Sequence, residues 1–393
     1  MNTTPSANDF LKAAIHTAEF FGFRSVDELK KAPECKSCQD KIQHSISAAE
    51  RKKDALSGLL TAGAAAYCDA RLNGFSGPTL FYSIDRVPRT NEVALSLHIF
   101  GVDKSIAEAI LIQAVRGLLN DLGYTDHSVR VNSIGDQESM NRYVRELTNY
   151  LRKRIEQLSP TARELMKEHV LETLMHLIEN QDDLALRTPS PLEYLSDQSR
   201  KHFREIVEYL DMSATPYEID PKLIRHHQCY SDALFTVDIF DEDGVRFAEP
   251  PVVASGGRYS EFVYRTTKLK TAAAGAVIML REKKAPAQNP RVAKNANPSV
   301  YIVQLGFGPK IRSLMLIDEL RRSGIQVHQN LACDSLSTQL RDAEAKNVKH
   351  TIIIGQKEYV DGTVILRDMH ARSQEHVPQT QLSTRLRRFA TNA

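Results

Sequence analysis

The stretch DPKLIRHHQCYSDALF, residues 220 to 235, brings an arginine, two histidines, a glutamine and a tyrosine to the start of an apolar segment. That segment, Leu234 to Phe240, is predicted to be a β-strand, and polar residues that enter a sheet in this way often line a pocket. Arg225 could stabilise negative charge on an acyl or phosphoryl group, because its guanidinium stays protonated and donates in a planar fork. A surface turn in which Arg225 pairs with an acid explains the pattern equally well. His226 and His227 point to opposite faces if extended, which argues against a shared metal site.

A second segment, SGGRY at residues 255 to 259, follows another apolar run. Gly256 and Gly257 could let the backbone approach a ligand closely, with Arg258 as a fixed cation beside it. A strained turn accounts for the two glycines equally well. The residues alone therefore leave both interpretations open.

The strand and helix patterns around these two segments predict an α+β body. Strand patterns lie at Val93 to Phe100, Ser128 to Val131, Val252 to Ala254 and Ala274 to Leu280. Helical patterns lie at Phe10 to Phe21, Ile42 to Leu72, Ile106 to Leu122 and Glu138 to Asn180. Because strands cluster in the second half of this region, we expect an antiparallel sheet flanked by helices.

Residues Lys284 to Ser299, rich in Pro, Ala and Asn, have the composition of a linker. Beyond them the pattern alternates between strand and helix, with strands predicted at Val300 to Leu305, Ile325 to His328, Thr351 to Ile354 and Thr363 to Leu366. Helices are predicted at Ile311 to Arg322 and Leu336 to Lys346. This alternation predicts a small α/β domain on a largely parallel sheet.

Composition narrows the class of protein but names no partner. The 393 residues include 51 basic and 49 acidic ones, a formal charge of +2, so nucleic acid would have to be met by a local patch. The sequence contains no run of about 18 apolar residues, so it predicts no membrane span. Its five cysteines fit a reducing, cytoplasmic setting. Cys35 and Cys38 have the spacing of half a zinc site, but without a second ligand pair we expect two ordinary thiols and no metal.

The C-terminal domain has a local excess of positive charge. From residue 299 onward there are 13 Lys or Arg residues against 9 Asp or Glu residues. Arg385, Arg387 and Arg388 form a basic tail beside Phe389, suited to phosphate contact. A solvated helix end explains the same tail.

Taken in order, these segments resemble histidyl-tRNA synthetases and their class II paralogues. Residues 220 to 235 are similar to the family's histidine-binding motif, usually written L-V-R-G-L-D-Y-Y-T-G-x-V-F-E, which Arg225, Tyr230 and Phe235 match. Further segments resemble the motif 1 entry (Phe20 to Phe23), the end of motif 2 (Leu97 to Asp103), G-G-R-Y-D (Gly256 to Tyr259) and motif 3 (Ala273 to Glu282). Ser335 to Leu340 and Ile352 to Glu358 resemble the anticodon-binding domain of several class II synthetases.

The resemblance implies a class II core at residues 1 to 283 with a helical insertion around 138 to 200, a linker at 284 to 298 and an anticodon-binding-like α/β domain at 299 to 393. The substrate-pocket candidates that it implies are Arg225, Gln228, Tyr230, Gly256, Gly257, Arg258 and Tyr259. Candidates for nucleotide contact are Arg86, Arg89 and Arg281, and candidates for nucleic-acid contact are Arg385, Arg387 and Arg388. ATP and Mg²⁺ are implied only if the chain is active, when Arg225 would be catalytic.

Several groups that adenylate formation needs are replaced. Val87 to Thr90 stands where motif 2 begins Phe-Arg-x-Glu, and Met279 to Glu282 inverts the charge order that should close motif 3. Leu59 occupies the position of the carboxylate that holds the amino group of histidine, and Thr236 and Gln228 replace two further acids. Because loss of one catalytic cation commonly costs about 10²- to 10³-fold in rate, these changes together predict loss of adenylation.

Three hypotheses follow from the resemblance. The first is a noncatalytic, homodimeric synthetase-like protein that binds tRNA, another RNA or a protein. The second is an active histidine–tRNA ligase in which Arg86, Arg89, Arg258 or Arg281 has been recruited to a diverged site. The third is a regulatory subunit of the ATP phosphoribosyltransferase type, which ranks lower because that subunit normally lacks the C-terminal domain.

Overall fold

The computed structural model describes residues 5–29, 55–72, 77–86, 92–224, 227–281 and 300–391. Its largest feature is an eight-stranded sheet in the order β1-β2-β3-β8-β7-β6-β4-β5. The strands are β1 (Arg24–Ser25), β2 (Thr79–Arg86), β3 (Val93–Phe100), β4 (His127–Gly135), β5 (Tyr217–Ile219), β6 (Ser231–Ile239), β7 (Val252–Arg258) and β8 (Ala273–Leu280). The strands between the two short edges pair antiparallel, while β1 and β5 pair in parallel. The predicted antiparallel sheet is therefore confirmed.

Helices cover both faces of this sheet. On the rear face lie α1 (Ala7–Phe20) and α4 (Ile106–Asp121), whose apolar side chains join those of the strands in one buried cluster. On the front face lies α3 (Ala55–Leu72), with α10 (Ser260–Thr267) beside it in a second cluster. The short helix α2 (Val26–Leu29) also contributes Leu29 to this second cluster. The part of the predicted helix before residue 55 lies outside the described residues.

Between β4 and β5 the chain is helical. The helices are α5 (Gln137–Arg152), α6 (Pro160–Glu168), α7 (Val170–Glu179), α8 (Asp183–Leu186) and α9 (Asp197–Met212), with 3₁₀ turns at Ile155–Gln157 and Pro191–Tyr194. Polar caps set where these helices begin: the Asp136 carboxylate accepts from the Ser139 amide at 2.9 Å, and Ser159 caps α6 ahead of Pro160. The helical pattern predicted for this region is confirmed, divided at capped turns.

The C-terminal residues form a second sheet in the order β10-β9-β11-β12-β13. Its strands are β9 (Val300–Gln304), β10 (His328–Gln329), β11 (His350–Ile354), β12 (Thr363–Asp368) and β13 (Gln374–Pro378), with helices α11 (Phe307–Arg322), α12 (Leu336–Ala345), α13 (Gln356–Asp361) and α14 (Gln379–Thr391). Strands β10, β9 and β11 are parallel, as predicted, but β12 and β13 are antiparallel. The link from Ile354 to Thr363 is too short for the crossover of a dozen or more residues that a parallel strand requires.

Helix α11 packs this C-terminal unit against α4. The Arg321 guanidinium lies 2.6 Å from the Asp121 carboxylate, and the rings of Tyr209 and Phe307 are 4.8 Å apart. Residues 282 to 299 lie outside the described part of the chain, so the predicted linker and the domain limits remain predictions. Within the described ranges, no helix combines the length and the apolar character needed to cross a membrane.

Candidate active site

The front face of the large sheet carries the segments that the sequence singled out, and its side chains form rows across neighbouring strands. One row, here called the glycine row, consists of Gly257, Gly275, His98 and Phe81. The adjacent hydroxyl row consists of Thr236, Ser255, Val277 and Ser96. The two rows differ in what covers them and in what they can bind.

Helix α3 closes the glycine row. A Cβ atom added to Gly63 would lie 2.2 Å from Cε1 of His98, so the backbone of the helix rests directly on the imidazole. One turn further along, the Tyr67 ring stacks on Phe100 with centroids 4.1 Å apart. This end of the front face is therefore filled by packed side chains.

The polar groups under α3 are neutral. His98 is fully buried, its Nδ1 lies 2.8 Å from the Tyr259 hydroxyl, and burial lowers its pKa to about 3. Burial also raises the pKa of Tyr259 well above its ordinary value. Both side chains are uncharged near neutral pH, so this contact cannot balance a charged ligand.

Apolar packing extends to the position where the resemblance implies a carboxylate. Leu59 is 6% exposed and lies in the front cluster with Leu56 and Leu60. Leucine cannot hold the ammonium group of an amino acid. The sequence change predicted there is thus part of the core that closes this end of the face.

The glycines of SGGRY lie within strand β7, so the interpretation as a turn is wrong. A Cβ on Gly256 would lie 2.5 Å from the Phe235 ring, and one on Gly257 would lie 2.5 Å from the Ala233 carbonyl oxygen. Only glycine lets β7 approach its neighbours this closely. The observed geometry therefore assigns Gly256 and Gly257 a packing role within the sheet.

The hydroxyl row is the more polar part of the front face. Ser96 is fully buried, Thr236 and Ser255 are half-buried, and the hydroxyl oxygens of Ser96 and Thr236 have no hydrogen-bond partner among the residues that the structure describes. Tyr230 is buried nearby in the front cluster. Such groups can hydrogen-bond a neutral polar ligand, but hydroxyls cannot neutralise a triphosphate.

Arg258 lies on the opposite face, which corrects its predicted place in the pocket. Its Nε and Nη2 donate to the Glu108 carboxylate at 2.7 and 2.9 Å, and Nη1 donates to the Val102 carbonyl oxygen at 3.1 Å. Burial opposes the charge on Glu108, but Arg258 and His202 outweigh it and lower the pKa of that carboxyl to about 2. Side chains alternate along a strand, so with Gly257 in the glycine row on the front face its neighbour Arg258 points to the rear.

Arg130 pairs in register with Thr236 and so lies beside the hydroxyl row. Arg130 is held by two carboxylates, those of Asp238 at 2.7 Å and Asp220 at 3.0 Å. Arg281 is exposed at the end of β8, where its backbone amide donates to the Pro251 carbonyl oxygen at 2.8 Å. Among the predicted nucleotide contacts, Arg281 is the one whose side chain the structure describes, and that side chain is exposed.

Several predicted residues lie outside the described part of the chain. These are Arg89, Arg225, Cys35 and Cys38, together with the side chains of Arg86 and Arg388. Their roles remain predictions. Across the described ranges, no group of three or more His, Cys, Asp or Glu side chains could hold a metal ion.

Gln228 and the basic tail have partners of their own. Gln228 is exposed, and its Nε2 donates to the Glu172 carboxylate at 2.7 Å. In the tail, Arg385 pairs with Glu375 at 2.9 Å, and Arg387 donates to the Ser323 carbonyl oxygen at 3.3 Å. Nucleic acid would have to compete with these contacts.

Sequence reasoning missed three residues that decide the geometry. Gly63 and His98 are far apart in the chain, and their contact depends on how α3 docks on the sheet. Glu108 offered a usable signal: it is a carboxylate inside the apolar stretch IAEAILI, and a buried acid requires a cationic partner. That partner is Arg258.

Known proteins resemble this chain in both its core and its C-terminal domain. Residues 300–389 match the anticodon binding domain family model. Over 312 residues the chain is 27% identical to a histidine–tRNA ligase from a Cyanothece species, covering 79% of this chain and 72% of that protein. Over most of its length the chain is therefore similar to histidine–tRNA ligases.

A second relative from the synthetase family, the histidine–tRNA ligase of Fervidobacterium nodosum, is 28% identical over 307 residues, covering 76% of this chain and 70% of that protein. The S. aureus histidyl-tRNA synthetase structure aligns with a TM-score of 0.45 and 17% identity, covering 82% of this chain and 81% of that one. The predicted sheet flanked by helices and the C-terminal domain with a second sheet are confirmed, and residues 300–389 of that domain match the anticodon binding domain model.

Proposed function

We propose that this chain is a noncatalytic member of the histidyl-tRNA synthetase family that binds tRNA or another RNA through its C-terminal domain. The observation that carries the proposal is the closed glycine row, where Gly63 of α3 rests on His98 and leaves no room for even a methyl group. Leu59 continues this packing with an apolar side chain. A histidine bound there would displace core residues and find no charged partner among the described ones.

The described front face also does not fit ATP with Mg²⁺. Adenylate formation needs cations where negative charge develops on the α-phosphate. Arg258 is on the rear face, Arg130 is neutralised by two carboxylates, and the hydroxyl row is uncharged. Of the three arginines predicted to contact a nucleotide, Arg281 is the one whose side chain is described, and it is exposed. One guanidinium cannot replace several.

RNA binding is supported by the C-terminal domain. The match to the anticodon binding domain covers residues 300–389, and the domain has more basic than acidic residues. Arg341, Lys349, Lys357 and Arg372 are exposed there. Phosphate contacts from such side chains supply most of the sequence-independent affinity for nucleic acid.

Two assays on the full chain test the proposal. In ATP–pyrophosphate exchange with histidine, we expect no turnover under conditions where the Fervidobacterium nodosum ligase is active. In filter binding, we expect tRNA to bind with an affinity that falls as salt rises, and the double variant Arg341→Gln with Lys357→Gln should bind more weakly. Exchange at the rate of the ligase control, or absence of RNA binding, would contradict the proposal.

A second candidate function is an active histidine–tRNA ligase with a diverged site. It is favoured by the relatives, which are named histidine–tRNA ligases, and by Ser96 and Thr236, whose buried hydroxyl oxygens have no partner within the described ranges. In this case Arg225 and Arg281 would have to supply the missing charge, and Arg225→Ala and Arg281→Ala would each abolish exchange. The homodimer and the cytoplasmic location belong to both proposals, and a protein partner belongs to the noncatalytic one.

A further inference from the structure

Helices α4 and α11 enclose a polar cleft where the C-terminal unit meets the core. Its volume is about 500 Å³, and its lining includes Arg116 from α4 and Arg312, Asp318, Glu319 and Arg322 from α11. Sites for small molecules typically measure about 300 to 1,000 Å³. The cleft lies on the opposite side of the sheet from the front face, because α4 packs on the rear of the sheet.

Arg116 is held in place entirely by neutral groups. Its Nη1 donates to the Thr215 hydroxyl at 2.6 Å and to Gln113 Oε1 at 3.3 Å, and its Nε donates to His127 Nε2 at 3.2 Å. The Nδ1 of His127 lies 3.0 Å from the Tyr124 carbonyl oxygen, which fixes the proton on Nδ1 and leaves Nε2 as the acceptor. These contacts orient the guanidinium without neutralising it.

The nearby carboxylates are occupied by other arginines. The Asp318 carboxylate forms ion pairs with the guanidinium groups of Arg321 at 3.3 Å and Arg322 at 2.5 Å. The Asp121 carboxylate forms an ion pair with Arg321 at 2.6 Å. Glu319 also lines the cleft and is exposed. Within the described part of the chain, neither Arg116 nor Arg312 has an ion-pair partner, and Arg312 donates to the Gln379 side-chain oxygen.

We propose that this cleft binds a phosphate group between Arg116 and Arg312. A half-buried guanidinium that is oriented but not neutralised favours an anion, and the planar fork matches phosphate oxygens. Arg116 belongs to the core and Arg312 to the C-terminal unit, so the bound anion would link the two. The phosphate comes either from a small phosphorylated compound or from an RNA backbone, and the proposal is independent of whether the front face is catalytic.

Calorimetric titration of the full chain tests this proposal, with pyrophosphate and a short single-stranded RNA as probes. The variants are Arg116→Gln and Arg312→Gln, one on each side of the cleft. The matched control is Arg145→Gln, an exposed arginine on α5 outside the cleft lining. Circular dichroism and the unliganded Tm establish that each variant folds, and Arg312→Gln, which disturbs fewer contacts, keeps the test valid if Arg116→Gln does not fold.

We expect each cleft variant to weaken binding of at least one probe by about tenfold or more, while the control retains the pyrophosphate affinity of the unaltered chain. If the cleft variants lose affinity for pyrophosphate alone, the site is assigned to small phosphorylated compounds. Loss confined to RNA assigns it to a phosphodiester backbone. Unchanged affinity of folded cleft variants for both probes, or no binding of either probe by the unaltered chain at about 1 mM, would overturn the proposal.

Discussion

Arg258 and Tyr259 are consecutive in the chain, yet they belong to two opposite kinds of buried polar cluster. On the rear face, Arg258 joins Glu108 and His202 in an ionic cluster. On the front face, Tyr259 joins His98 in a neutral pair covered by α3. The charge of the GGRY segment therefore stabilises the fold, whereas the polar pair that α3 covers on the front face carries no charge. The following predictions test this contrast.

The largest expected effect is at the rear cluster. Arg258→Met leaves the Glu108 carboxylate buried without its main partner, so we expect the free energy of unfolding to fall by about 3 to 5 kcal/mol. Urea denaturation measures the loss. Arg281→Met, at an exposed arginine, serves as the control and should change stability by less than about 0.5 kcal/mol. A small effect of Arg258→Met would mean that the rear cluster is not structural.

A smaller effect is expected where α3 rests on the front face. Gly63→Ala places a methyl group 2.2 Å from the His98 ring, and such overpacking typically costs about 1 to 3 kcal/mol. The double variant Gly63→Ala with His98→Ala should lose less stability than the sum of the two single variants, because the clash is removed. Strict additivity would show that α3 does not press on His98.

The pH dependence of stability separates the two clusters. Burial holds the pKa of His98 at about 3 in the folded protein, whereas unfolded histidine titrates near about 6.5. Below that pH the unfolded state therefore binds a proton at His98 that the folded state does not bind. Because of His98, the free energy of unfolding falls by about 1.4 kcal/mol per pH unit as pH falls from about 6.5 towards 3.

His202 behaves oppositely. Burial opposes its charge, but the Glu108 carboxylate outweighs burial and raises the pKa of the imidazole. Its stabilising contribution is present at low pH and is lost as pH rises through the folded pKa. Denaturation of the unaltered chain and of His98→Asn at about pH 5 and about pH 7 isolates the His98 contribution. If acid destabilises both proteins equally, His98 is not the neutral buried group described here.

Much of the fold could be predicted from local pattern. Strand β3 is predicted as Val93–Phe100 because apolar residues fill the segment apart from Ser96 and His98, and α4 is predicted to within one residue of its end. Strand β7 was predicted to stop at Ala254, whereas it continues to Arg258. Two consecutive glycines, taken alone, are typical of a turn. The close approach of the neighbouring strands β6 and β8 to β7 explains why this strand contains them.

The candidate site was less predictable because it depends on which face each side chain occupies. The SGGRY pattern alone predicts Arg258 as a cation beside a ligand or the two glycines as a strained turn, and the strand register places Arg258 on the rear face. The replacement at Leu59 was visible in the sequence, but its consequence was not. That consequence is the docking of α3 on His98, a contact between distant segments that no local pattern encodes.

The central claim, that the front face cannot hold the reaction intermediate, is tested most directly by titrating the full chain with a sulfamoyl analogue of histidyl-adenylate. Analogues of this kind bind a competent site far more tightly than the separate substrates do. The account predicts no binding at concentrations that saturate the Fervidobacterium nodosum ligase in the same calorimeter. Tight binding with one analogue per chain, abolished by Arg225→Ala, would contradict it.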